Sequence, residues 1–120
     1  MDIESFREYC IAKKGVTESF PFGGDTLVFK VMDKMFALTG IDSIELKVNL
    51  KCDPIYAEEL RAEYPSITGA YHMNKKYWNT VNFSDKHLKD VDIKKWIDHS
   101  YDLVVEGLTK KQKTALEEWT

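Results

Sequence analysis

Apolar and polar residues alternate over Ser43–Lys51, where Ile44, Leu46, Val48 and Leu50 are separated by Glu45, Lys47, Asn49 and Lys51. Successive strand side chains point to opposite faces, so this pattern predicts a strand with one buried and one wet side. That arrangement suits an antiparallel sheet. Two further apolar runs, Leu27–Met32 and Met35–Thr39, are joined by a short polar break at Met32-Asp33-Lys34 and predict a hairpin, although its turn lacks glycine. Trp78–Phe83 alternates again and predicts another strand.

Elsewhere the apolar spacing is three and four. Ile3, Phe6, Cys10 and Ile11 form the stripe of a first helix, expected to end at Gly15. Asp53-Pro54 is a helix start, with aspartate capping exposed amides and proline suited to the first turn. Ala57, Leu60 and Tyr64 share that helix's inner face, and Pro65 closes it. Val91, Ile93, Trp96, Ile97, Tyr101, Val104 and Leu108 predict a long third helix ending near Gly107. Thr109 and Gln112 form a capping box for a last helix carrying Leu116 and Trp119. Thr17–Asp25 is expected as an ordered loop or a short first strand, and Ser66–Lys76 as a loop. The order of elements predicts one α+β domain over residues 1–120, an antiparallel sheet of about four to five strands flanked by helices.

Bulk properties sharpen this picture modestly. The chain's 120 residues suffice for a core without metal or disulfide. Cys10 and Cys52 are its only cysteines and make no Cys-x-x-Cys, so zinc-ribbon and thioredoxin-like chemistry lack support, and two free thiols are expected. The start, MDIESFREYC, has no apolar signal core, and no apolar run approaches a membrane span, so a cytoplasmic protein is expected. With 17 basic and 20 acidic residues the net charge is −3, so polyanion binding would need a local basic patch.

One stretch supplies a candidate. Tyr64–Ser84 contains no acidic side chain in an otherwise acid-rich chain, and it holds Lys75, Lys76, His72, Asn74, Asn79, Asn82, Tyr71, Tyr77 and Trp78. Ammonium groups meet phosphates, rings stack on bases and amides read base edges, so this mixture suits nucleic acid. The competing structural reading makes it a loop entering a strand, with Trp78 in the core and the lysines merely solvated. Lys47 and Lys51 form a second basic row on one face of their strand, where Glu45 also lies.

Catalytic patterns are missing from the sequence. His72, His87 and His99 lack metal-ligand spacing, Asp98-His99-Ser100 are helix neighbours facing different ways, and Gly23-Gly24 lacks the lysine of a phosphate loop. No enzymatic activity, metal or cofactor is expected.

Three stretches together resemble the MmcQ/YjbR family of small bacterial proteins: Pro21-Phe22-Gly23 leading into Leu27–Leu38, then Tyr71–Val81 (YHMNKKYWNTV), then Ser100–Leu108 with Thr109-Lys110-Lys111. The resemblance implies a frataxin-like antiparallel sheet flanked by helices and a double-wing DNA-binding role, with no catalytic activity or cofactor. Gly24, Met32-Asp33 and Tyr77 depart from the family pattern at a loop, the hairpin tip and the presumed working loop. Frataxin's iron role is not implied, because Asp2, Glu4 and Glu8 are mixed with Arg7, Lys13 and Lys14.

The leading expectation is thus a monomeric, non-enzymatic module for double-stranded DNA. Lys75 and Lys76 would contact phosphates, with Tyr71, His72, Asn74 and Asn79 nearest the grooves. Lys30, Lys34 and Lys47 would extend the patch if the sheet places them beside it. The alternatives are a protein-interaction adaptor anchored by Tyr71, Tyr77 and Trp78, and a small-molecule or metal site around His72 and Asn74.

Overall fold

The computed structural model describes residues 1–119. In chain order its elements are α1 (Ile3–Ile11), β1 (Val16–Ser19), β2 (Thr26–Val31), β3 (Lys34–Gly40), β4 (Lys47–Lys51), α2 (Pro54–Glu63), β5 (Ile67–Gly69), β6 (Trp78–Asn82), α3 (Asp90–Glu106) and α4 (Lys110–Glu117). The strands form one six-stranded sheet in the order β1-β2-β3-β4-β6-β5, with every neighbouring pair antiparallel. The α+β class and flanking helices are as expected, but the sheet has six strands rather than four to five. The addition comes from its two edges: β1 formed where a loop or a short strand was open, and Ile67–Gly69 formed inside the expected loop. Strands of three and four residues are too short to carry a readable period.

The local signals place the helices well. Asp53 accepts from the amides of Ile55 and Tyr56 at 3.1 Å, with Pro54 opening α2. The Thr109–Gln112 capping box is present in both directions. Other expectations miss, among them Ile11, which was placed on the stripe of the first helix and is exposed. Ile44 is fully exposed on a bend before β4, because pairing starts only at Lys47. Trp119 lies beyond α4 and is half-exposed, and Val91 faces solvent in the first turn of α3. α1 ends at Ile11, with Gly15 in the turn that follows. That glycine has φ +75°, and a Cβ there would stand 2.4 Å from a Leu116 methyl carbon, so it sets the turn and admits α4.

The β2–β3 hairpin has a two-residue turn, Met32-Asp33, with φ +48° and +66°. With positive φ at both positions this is the type I′ form, whose backbone follows strand twist and in which glycine or asparagine normally stands. Met32 tolerates it with tertiary support: its carbonyl accepts from Gln112 Nε2 at 3.4 Å and its side chain packs on the main core.

That main core lies between the sheet and the helices. Phe6 of α1 meets Phe29 and Phe83 edge-on at 5.3 and 5.4 Å, while Val31, Val48, Leu50, Val81, Ile93, Trp96 and Ile97 complete it. A register shift in the β2–β3 pairing lets consecutive Phe36 and Ala37 both join this core. Cys10 and Cys52 are free and buried, and burial pushes both thiols up to about 12. Among the described residues, no helix is long and apolar enough to cross a membrane.

Candidate functional site

Paired residues in neighbouring strands project to the same side of a sheet. The observed registers therefore sort side chains without ambiguity. Phe29, Val48, Leu50 and Val81 face the helices, so Val28, Lys30, Met35, Leu38, Lys47, Asn49, Lys51, Thr68, Trp78, Thr80 and Asn82 occupy the opposite, helix-free face. No strand position on that face carries a carboxylate. The strands contain Lys30, Lys34, Lys47 and Lys51 against Glu18 alone. Glu18 pairs with core-facing Phe29 and is held by Arg7 of α1 at 2.5 Å, on the helix side. Glu45 stands at the rim as an acceptor for Asn82 Nδ2. The three ion pairs among the described residues, at Met1–Asp90, Arg7–Glu18 and Lys13–Asp98, and the Asp85–His87 contact involve none of the face's lysines.

Residues 70–77 border this face and fold partly over it. Trp78 is only 6 % exposed and packs with Val28, Leu38, Ala70, Met35 and Met73 in a second, smaller apolar cluster. The structural reading of Trp78 is therefore the correct one, and it drops out as a protein anchor. Tyr71, His72, Asn74, Lys75, Lys76 and Tyr77 are exposed, Tyr71 at 80 %. Each loop lysine lies near an aromatic ring, Lys75 at 5.8 Å from Tyr71 and Lys76 at 5.5 Å from Tyr77. Lys51 reaches both Trp78 and Tyr77, at 5.4 and 5.6 Å. The Tyr71 and His72 rings meet edge-on at 4.7 Å. Asn74 is partly structural, since its side-chain oxygen accepts from the Lys76 amide at 3.0 Å while its backbone carbonyl accepts from Tyr77.

Asn79 is corrected outright. It is 2 % exposed and faces the helix layer, where its amide nitrogen donates to Ala57 O at 3.3 Å and its oxygen accepts from Arg61 Nε at 2.6 Å. Such a group cannot reach a ligand on the other side of the sheet. Its contacts instead reveal a residue that the sequence reading missed. Arg61 of α2 bonds Asn79 with one arm, while its other nitrogen reaches the carbonyls of Lys75 and Trp78, fixing the base of the loop. Gly69 leaves room for this, because a Cβ there would sit 3.3 Å from Lys75 and 3.4 Å from the guanidinium carbon. No local pattern marks Arg61, whose partners stand 14 to 18 residues away.

The remaining candidates are brought together only in part. Lys30 and Lys47 share the helix-free face. Lys34, at the hairpin tip, joins Lys51, Met35 and Trp78 around an open cleft of about 420 Å³ that also meets Leu103 and Val104 of α3. A second cleft of about 340 Å³ runs along β5 and β6 between Tyr71 and Lys47, past Thr68, Thr80 and Asn82. Thr80 donates to Asn49 across the strand at 2.5 Å. Lys51 was noted in the sequence only as part of a basic row and Thr80 not at all, although the alternation around Val48 and Val81 marks both as outward-facing. Thr68 lies on a strand too short to show a period. For a metal, no cluster of three or more His, Cys, Asp or Glu forms among the described residues. His72 and Asn74 sit on an exposed loop and line neither cleft.

A family model named YjbR matches residues 11–103. The chain belongs to the YjbR family. Two Escherichia coli members, both uncharacterized proteins, are similar along most of its length. YjbR of strain K12 is 32 % identical over 116 residues, covering 97 % of this chain and 98 % of its own. YbdF of O157:H7 is 38 % identical over 98 residues, covering 78 % and 76 %. A Deinococcus radiodurans crystal structure containing a DUF419 domain superposes with a TM-score of 0.89 at 38 % identity, over 96 % of this chain and 87 % of that one. A Pseudomonas syringae protein gives 0.72 at 30 % identity, over 86 % and 98 %. These YjbR-type neighbours agree with the α+β architecture.

Proposed function

We propose that this YjbR-family chain is a non-enzymatic DNA-binding module whose contact surface is the helix-free face of the sheet together with residues 71–77. One observation carries the reading: in a chain of net charge −3, the strand positions of this face carry Lys30, Lys47 and Lys51 and no carboxylate, with Glu45 at the rim, beside a loop bearing Lys75 and Lys76. The helices collect much of the acidic charge, including Glu58, Glu59 and Glu63 on α2 and Asp90, Asp92, Asp98, Asp102 and Glu106 on α3. The resulting separation of charge would orient the protein on a polyanion, with the helices outward. Exposed ammonium groups give mainly phosphate contacts, which are sequence-independent.

The test is fluorescence anisotropy of a labelled mixed-sequence duplex, titrated at several salt concentrations. Five phosphate contacts would give a log–log salt slope of roughly −4 to −5, since each contributes about −0.9. The Lys75→Ala/Lys76→Ala variant is expected to weaken binding and flatten that slope by about two units. No binding of either the duplex or its separated strands at low salt, or a slope near zero, would retire the DNA reading. Tyr71 and Tyr77 would then stand as anchors for a protein partner.

A further inference from the structure

Resting on that reading, we infer that the face takes DNA as an unpaired strand rather than a duplex, with one base lodged in the cleft between Tyr71 and Lys47. The cleft of about 340 Å³ lies on the helix-free face and is lined by Lys47, Thr68, Tyr71, Thr80 and Asn82 among others. Its size matches the low end of small-ligand sites and is enough for a single nucleotide base. Its chemistry is divided as a nucleotide requires. At one end Tyr71 offers an aromatic ring that is 80 % exposed, with the Lys75 ammonium 5.8 Å from its centroid. At the other end stands Lys47, paired across the sheet with Asn82. Between them the Thr68 and Thr80 hydroxyls, themselves partners in the β5–β6 register, present groups that hydrogen-bond a base edge.

Two nearby carboxylates define the limits of the site. Glu45 engages the Asn82 amide and Asp85 engages the Ser66 hydroxyl, so these two lining groups are already occupied. Thr80 already donates its hydroxyl to Asn49, so the base edge is left to the Thr68 hydroxyl and the remaining lone pairs of Thr80, and the phosphates to Lys47 and Lys75. A flat ring flanked by cations is how sheet surfaces hold single strands, because every base has a face to stack whereas a duplex hides it. Trp78 cannot take this part, since it is buried beneath residues 70 and 73.

The experiment compares a labelled twelve-nucleotide oligothymidylate with a labelled twelve-base-pair duplex on wild type, Tyr71→Ala and Tyr71→Phe, at one low salt concentration. The single strand is expected to bind at least several-fold tighter than the duplex. Tyr71→Ala should weaken the single strand by about tenfold, from the loss of one stacked base, and leave the duplex within twofold. Tyr71→Phe should restore the single-strand affinity, which separates stacking from any fold defect. A duplex bound as tightly as the single strand, or Tyr71→Ala lowering both alike, would overturn the inference and leave the DNA-binding module intact. Failure of both probes to bind would overturn the two together.

Discussion

The two faces of the sheet are built from the same strands and obey opposite rules. Toward the helices, Phe29, Phe36, Val48, Leu50 and Val81 are at most 2 % exposed and interlock with Phe6, Ile93 and Ile97. On the other side a small cluster around Trp78 and Leu38 is bordered by Lys30, Lys47 and Lys51. Folding requires the first set and the small cluster around Trp78, but not the lysines that border it. A lysine on an exposed strand position contributes little to stability, so a face that accumulates lysines and excludes carboxylates needs an explanation outside folding. The difference between the faces is the physical basis of the functional reading.

The strongest way to break the comparison is to truncate matched positions on the two sides. Phe29→Ala is expected to destabilise by about 3–5 kcal/mol, the range for buried phenylalanine, because it empties the space against Phe6. Leu38→Ala should cost about 2–3 kcal/mol and, by loosening the cover over Trp78, speed proteolysis within residues 70–77. Urea unfolding measures both. An equal loss at the two sites would mean that the face lacking helices is as much a core as the other.

Asn79→Ala comes next, with an expected cost of about 1–3 kcal/mol, because it strips a buried partner from Arg61 and from the Ala57 carbonyl. The Lys75→Ala/Lys76→Ala variant should move stability by no more than about 0.5 kcal/mol. A neutral Asn79→Ala would undo the assignment of Asn79 to the fold.

His99 sharpens the helix side through pH. Burial holds its pKa below the ordinary 6.5, and Nε2 accepts from the Asp53 amide at 3.1 Å, which only the neutral ring can do. The unfolded chain therefore takes up the proton first as pH falls. This contribution is complete above pH 6.5 and is lost as pH drops from there through the lower folded value. Urea midpoints measured from pH 8 to 5 should fall more steeply for wild type than for His99→Gln. Parallel curves would exclude a neutral His99 in the native state. A small effect of opposite sign is expected at the hairpin tip, where Asp33→Gly should stabilise by up to about 1 kcal/mol, since Asp33 is exposed at φ +66°.

Much of the fold was legible because its signals are local. The Asp53-Pro54 start, the Thr109–Gln112 box and the alternation at Val48 and Leu50 each act within a few residues, and each formed. The edges were not legible: Ile67–Gly69 is a strand only because β6 offers it hydrogen-bonding partners. Ile44 continued the alternation in sequence but had no strand to pair with, and it stands in solvent. The candidate site divided in the same way. Lys75, Lys76, Tyr71 and His72 are exposed as expected, whereas Asn79 sits one position along β6 from Thr80 and so points to the opposite side of the sheet.

By itself the sequence determined the period of each element and the absence of acidic residues from 64 to 84, because both are properties of neighbours along the chain. Which side of each strand meets the helices, and which lysines share a surface, was decided only by tertiary structure. The antiparallel pairing of β4 with β6 sets Lys47 beside Asn82 and Lys51 beside Trp78, residues 35 and 27 positions apart in the chain. Arg61 likewise reaches Asn79 and the Lys75 carbonyl only because α2 packs near β5 and β6. Coulomb forces, stacking and hydrogen bonds act through distance in space, so a binding surface exists only once the strands have found their order.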